Sequence, residues 1–129
     1  EKVSFITLGP SAAIIFIIDG DGVAITPGEK GHIEIPFACI IEGVTMLADR
    51  SGSIVVDIWK NVYGSFPPSN TDSITSSTPP TINAARNSQN STLIGWTRAL
   101  AVGDILAFNV NSCTDITRVT INLKIIRSE

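Results

Sequence analysis

The fold class this sequence predicts is all-β, an antiparallel β-sandwich of jelly-roll type with about eight strands and one long Ser/Thr/Pro-rich loop. Three observations predict it. The 129 residues hold 20 Ile and 9 Val against 6 Leu and a single Met. β-branched side chains are stiff at χ1 and suit a pleated surface better than a helix. Apolar residues alternate with polar ones over short runs, and Gly-, Pro- and Asp-rich turns separate the runs. The length fits one domain spanning 1–129. With 43% hydrophobic and 16% charged residues, the chain lies outside the range of disordered sequences.

Val3 to Leu8 is a short apolar stretch closed by Gly9-Pro10. Ala12 to Ile18 is continuously apolar, which predicts a strand buried on both faces. Asp19-Gly20-Asp21-Gly22 then reads as a hairpin turn, since glycine accepts positive φ. His32 to Cys39 alternates, with Pro36 marking an edge or bulge. Val44 to Ala48 and Ile54 to Lys60 follow as strands about the turn Asp49–Gly52. In the second of these, Ile54, Val56 and Ile58 line one face and Val55, Asp57 and Trp59 the other. Two largely apolar faces call for cover on both sides, by a loop, a ligand or a second subunit. Residues 61–91 are an irregular stretch with Pro67-Pro68 and Pro79-Pro80, and a helical turn is expected at Thr81 to Arg86 behind Pro80. Strands are expected again at Leu93 to Leu100, Ile105 to Val110 and Ile116 to Arg127. The last alternates Val119, Ile121, Leu123 and Ile125 with polar residues, the pattern of a sheet with one solvated face.

Charge narrows the partners. The net charge is −3 and the pI about 5.0. Nine scattered Lys and Arg make neither the basic face of a nucleic-acid binder nor a polybasic membrane patch. The Ala12–Ile18 run is too short to insert in a membrane as a helix and lacks the flanks of a signal peptide. A chain opening on Glu1 reads as a processed protein or a fragment. Cys39 and Cys113 are far apart in sequence and expected as free thiols, because a chain of this length buries a core without staples.

Little in the sequence supports chemistry. The Asp19–Gly22 motif lacks the later ligands of an EF-hand. His32 is the single histidine and lies beside Gly31 at a strand start, so no triad is expected. Asp57 is a mid-strand carboxylate among apolar neighbours and needs partners such as Arg98, Arg118 or loop hydroxyls. No catalytic, cofactor-binding or metal-binding residue is assigned, and no cofactor is expected. Trp59, Tyr63, Phe66 and Trp96 are the aromatics that a sugar ring would stack on, with core packing expected for the two Trp. Val55, Trp59, Tyr63 and Phe66 are therefore the candidate ligand or subunit contacts. Asn90-Ser91-Thr92 matches a glycosylation sequon, relevant only in a eukaryotic secretory setting.

The stretch Gly31 to Asn61, GHIEIPFACIIEGVTMLADRSGSIVVDIWKN, is followed by the Pro67-Pro68 loop with Asp72-Ser73-Ile74, then Pro79-Pro80-Thr81. Gly95-Trp96-Thr97, Ala101 to Leu106 and Ile116 to Ile125 come later, and Phe5 to Ile35 precedes them. This order resembles a small β-sandwich domain of tailed-phage structural proteins, found in tail fibres, tail tips, head fibres and capsid decoration proteins. The resemblance covers nearly the whole chain and contains no catalytic motif. It implies a non-enzymatic virion protein on the particle surface, assembled in the host cytoplasm as a homotrimer. Its expected partners are itself, other virion proteins and a host-surface glycan. A reducing cytoplasm agrees with free cysteines. Two other readings compete: a carbohydrate-binding module from a larger secreted enzyme, and a filament subunit donating the Ala12–Ile18 strand to a neighbour.

Overall fold

The computed structural model describes residues 8–128. The chain is all-β and antiparallel, as its composition predicts. Seven strands form one sheet: β1 (Leu8–Asp19), β2 (Gly28–Glu34), β3 (Cys39–Val62), β4 (Thr81–Asn90), β5 (Ala99–Leu100), β6 (Asp104–Thr114) and β7 (Arg118–Ser128). The pairing order is β1-β7-β3-β6-β2, with β4 and β5 also bonded to β3. The Val3–Leu8 stretch lies outside the described residues except for Leu8, where β1 starts.

β3 organises the sheet. The expected turn at 49–52 is a bend inside one 24-residue strand. Before the bend β3 lies between β7 and β4, with β5 beside its first two residues. After it, the strand lies between β6 and β4. The ladder with β4 slips on both sides of Gly52. A side chain at Gly52 would run into the Thr114 carbonyl oxygen, so the bend needs a residue without a Cβ. Asp49 ties the bend to the start of β7. Its carboxylate accepts from the Thr117 hydroxyl, from the Thr117 amide at 3.2 Å and from the Arg118 amide at 3.0 Å. These bonds, the Thr117 hydroxyl first, hold the Asp49 pKa down at about 2 despite the opposing effect of burial.

The curl brings β1 over the far half of the sheet. Phe16 of β1 stacks on Phe108 of β6, with centroids 4.3 Å apart and planes within 6°. Gly31 of β2 leaves room for that ring, since a Cβ there would sit 2.7 Å from Phe16 Cζ. One core results, drawing Ile14 and Ile18 from β1, Val56 and Ile58 from β3, and Ile121 and Leu123 from β7, among others. β7 keeps its predicted alternation, with Val119, Ile121, Leu123 and Ile125 inward. β6 likewise turns Leu106, Phe108 and Val110 into the core.

Several expectations are corrected. β1 is not buried on both faces: Ile14 and Ile18 point inward, while Ile15 and Ile17 are 56% and 57% exposed. Asp19–Gly22 turns the chain but makes no hairpin, because β1 pairs with β7 and β2 with β6. Thr81–Asn90 is strand β4, not a helical turn. The expected strand over 93–100 shrinks to Ala99–Leu100, because Leu93 and Gly95 take positive φ and break extension. The cysteines need no correction, since Cys39 and Cys113 are both free as expected.

Candidate functional site

The site candidates fall around the last third of β3 and the loop that follows it. Alternation places Ile54, Val56 and Ile58 in the core and Val55, Asp57 and Trp59 on the outer face, half-buried. The chain's own loop runs along the edge of β3, in line with β4, and reaches this face through its side chains. Ile74 donates its amide to the Ile58 carbonyl at 2.9 Å, and Ser73 bridges Trp59 as a one-residue strand.

Asp57 is the clasp. Its Oδ1 accepts from the Ser73 hydroxyl at 2.7 Å, the Thr75 hydroxyl at 2.6 Å and the Ile58 amide at 2.8 Å. Its Oδ2 accepts from Trp59 Nε1 at 3.0 Å. A carboxylate between apolar neighbours thus meets loop hydroxyls, one of the partner sets its sequence context called for, and neither Arg98 nor Arg118. A second clasp holds the near end of the loop. Asp72 Oδ2 accepts from the Ser69 amide at 2.8 Å and from Asn61 Nδ2 at 3.2 Å, closing a capping box on the 3₁₀ turn Asn70–Asp72. At the far end Trp96 Nε1 donates to the Thr78 carbonyl at 2.9 Å.

So fastened, the loop projects its first residues from one end of the sheet. Tyr63 opens a 3₁₀ turn, Tyr63–Ser65, and is 78% exposed. Phe66 is 50% exposed and meets the His32 ring edge-on at 4.7 Å. His32 Nε2 in turn lies 3.3 Å from Glu29. Val62, the last residue of β3, is exposed beside them. Val102 is exposed in the turn before Asp104, Val62's partner in the ladder, so it lies at the same end.

The structure therefore separates the sequence candidates. Tyr63 and Phe66 share an exposed apolar tip. Val55 and Trp59 are half-buried on the outer face of β3, with the Trp59 indole N–H already bonded to Asp57. Trp96 is in the core and joins no platform. Sequence reading did not bring His32, Val62 and Val102 to this tip. Val62 had a visible signal, an apolar residue adjoining Tyr63, whereas His32 and Val102 arrive only through the β2–β6–β3 register.

The tip offers stacking faces and apolar contact. The close ionisable pairs at this end are His32 with Glu29 and Lys60 with Asp104. Among the described residues no three His, Cys, Asp or Glu side chains come together to hold a metal ion. Neither protein-family models nor curated proteins give a match to this chain.

Proposed function

We propose that this chain is a non-enzymatic structural protein of a tailed-phage virion, a surface-displayed fibre-tip or capsid decoration module that assembles with itself as a trimer and binds through its exposed end. The observation that carries the reading is the Val62-Tyr63-Phe66 tip. Two aromatic rings are held out in solvent on a loop pinned by Asp57 and Asp72, beside the exposed valine that ends β3. Exposed aromatics cost solvation, and rigidly mounted ones are the usual anchors of binding surfaces. The resemblance of residues 31–61 and of the later motifs to phage structural domains supplies the setting.

The test is location. Antibody raised against the chain should decorate purified particles of a phage carrying its gene, with portal, capsid or tail genes alongside. A gene set inside a secreted glycosidase, with unlabelled particles, would overturn the reading. That outcome would favour the second reading, a carbohydrate-binding module, which the exposure of Tyr63 also supports. Under either reading Tyr63→Ala should abolish binding on a glycan array. Retained binding would take the tip out of recognition.

A further inference from the structure

We infer that the outer face of the β1-β7-β3-β4 half of the sheet is the surface on which a second copy of this chain packs. The inference rests on the proposed self-assembly and assigns it a face.

The two halves of the sheet treat their outer faces differently. Beyond the bend, hydroxyls of the chain's own 63–80 loop reach over the outer face of β3 to Asp57. Before the bend no described segment lies over that face. The register gives the composition of the open face. One row across the strands reads Ile15, Asn122, Thr45 and Gln89. The next reads Ile17, Thr120, Leu47 and Asn87. Neither row holds a charge, and Ile15, Ile17 and Leu47 are each at least half exposed. A solvated outer face normally carries charge, and an interface centre is depleted of it.

The edge of this face points the same way. Among the described residues β1 pairs on one side only, with β7. Edge strands are commonly blunted by charges, proline or bulges. β1 keeps such features to its ends, with Pro10 and a register break between Leu8 and Ser11 at one and Asp19 at the other, and Ser11 to Ile18 between them has no charge, no proline and unbroken pairing.

Three features select a second copy as the occupant. Amide and hydroxyl side chains both donate and accept, so rows of Asn, Gln and Thr can bond to the polar rows that a second copy presents. Charges flank the two rows, Asp19 opposite Arg118 toward the bend and Lys124 opposite Gly43 at the other end, and Lys124 has no ion-pair partner among the described residues. It shares the rim groove of about 460 Å³ with Glu42. Glu42 already pairs with Arg98 at 3.6 Å but stays 41% exposed, so each rim carries two cations and one anion, and a neighbour's Glu42 can take Lys124 as a further partner. The face is also wide enough. At strand spacings of about 4.8 Å and rises of about 3.4 Å, its strands cover roughly 600 Å² in projection, near the ~800 Å² that each partner gives to a standard interface.

The test is sedimentation of the full chain up to about 100 μM, a range that detects micromolar association. Wild type should run at a multiple of 13.7 kDa. Ile15→Lys and Ile17→Lys should each weaken association at least about 30-fold. Asn87→Arg exchanges one exposed polar residue for another and should act alike, with an unchanged far-UV spectrum and melting curve. Val102→Lys, at the other exposed apolar patch, should leave assembly intact. Wild type remaining at 13.7 kDa would overturn the inference. So would an oligomer that survives Ile17→Lys and Asn87→Arg, although self-assembly itself would then stand. Particle labelling decides the virion reading separately.

Discussion

Replacing Asp57 by alanine removes four hydrogen bonds at once, three of them from side chains: Ser73, Thr75 and Trp59. Thr75 is fully buried, so its hydroxyl loses its strongest partner where water cannot replace it. Hydrogen bonds to a charged group are worth about 1.5–3 kcal/mol each, and a stranded buried donor costs about 1–3 kcal/mol. Trp59 and Ser73 are only half-buried and recover part of their loss from water. The net cost should therefore be about 3–5 kcal/mol, or a fall in melting temperature of roughly 10–20 °C for a chain of this size. Urea unfolding followed by tryptophan fluorescence measures it. Asp57→Asn should lose only about half as much, because its carbonyl oxygen still accepts from Ser73 and Thr75 while its NH₂ opposes Trp59 Nε1. Limited proteolysis should cut Asp57→Ala within 63–78 before the sheet unfolds, since the clasp holds the loop. A loss below about 1 kcal/mol, with the loop still protected, would refute the assignment of Asp57 as the clasp.

Further outcomes follow from the same contacts. The Asp49 pKa is about 2 in the folded chain against about 3.9 in an unfolded one. Its stabilisation should be complete above pH 4 and lost as pH falls toward 2. Asp49→Asn should flatten the acid limb of stability in that window, and an unchanged limb would place the acid sensitivity elsewhere. Gly31→Val should displace Phe16 from Phe108 at a cost of about 1–3 kcal/mol. Phe16→Leu should relieve part of it, so strictly additive urea midpoints would argue against the contact. Burial, then the nearby Asp104 charge, raises the Cys39 thiol pKa. Alkylation at pH 8 should thus be slow at Cys39 until denaturant is added, and rapid native labelling would contradict its placement.

What the sequence discloses depends on whether side chains or backbone hold an element. β7 is legible because inward Val, Ile and Leu alternate with outward polar residues, and the end of β3 because Ile54, Val56 and Ile58 recur at every second position. β4 is not, because TINAARNSQN turns only Ile82 fully into the core. It is held by the β3 ladder and by bonds such as the Ala84 amide to Ser53 Oγ and Arg86 Nε to the Ala48 carbonyl. Leu93 and Trp96 read as a strand by apolarity, yet they enter the core from a turn at positive φ. At the site, Tyr63 and Phe66 could be found as apolar residues on a polar loop. The partners of Asp57 could not, since Ser73 and Thr75 lie 16 and 18 residues away with no periodicity linking them to β3.

The pairing of β1 with β7 joins residues 8–19 to residues 118–128. Closing a loop of that span precedes any reward from the contact, which makes such strands late and slow to form. During synthesis the apolar β1 must wait until nearly all the rest of the sheet has left the ribosome. For that interval its Ile-rich face and both its edges are open to other nascent chains. The step most exposed to misassembly is therefore the last one, and neighbouring copies of β1 on one polysome compete directly with β7 for the same backbone.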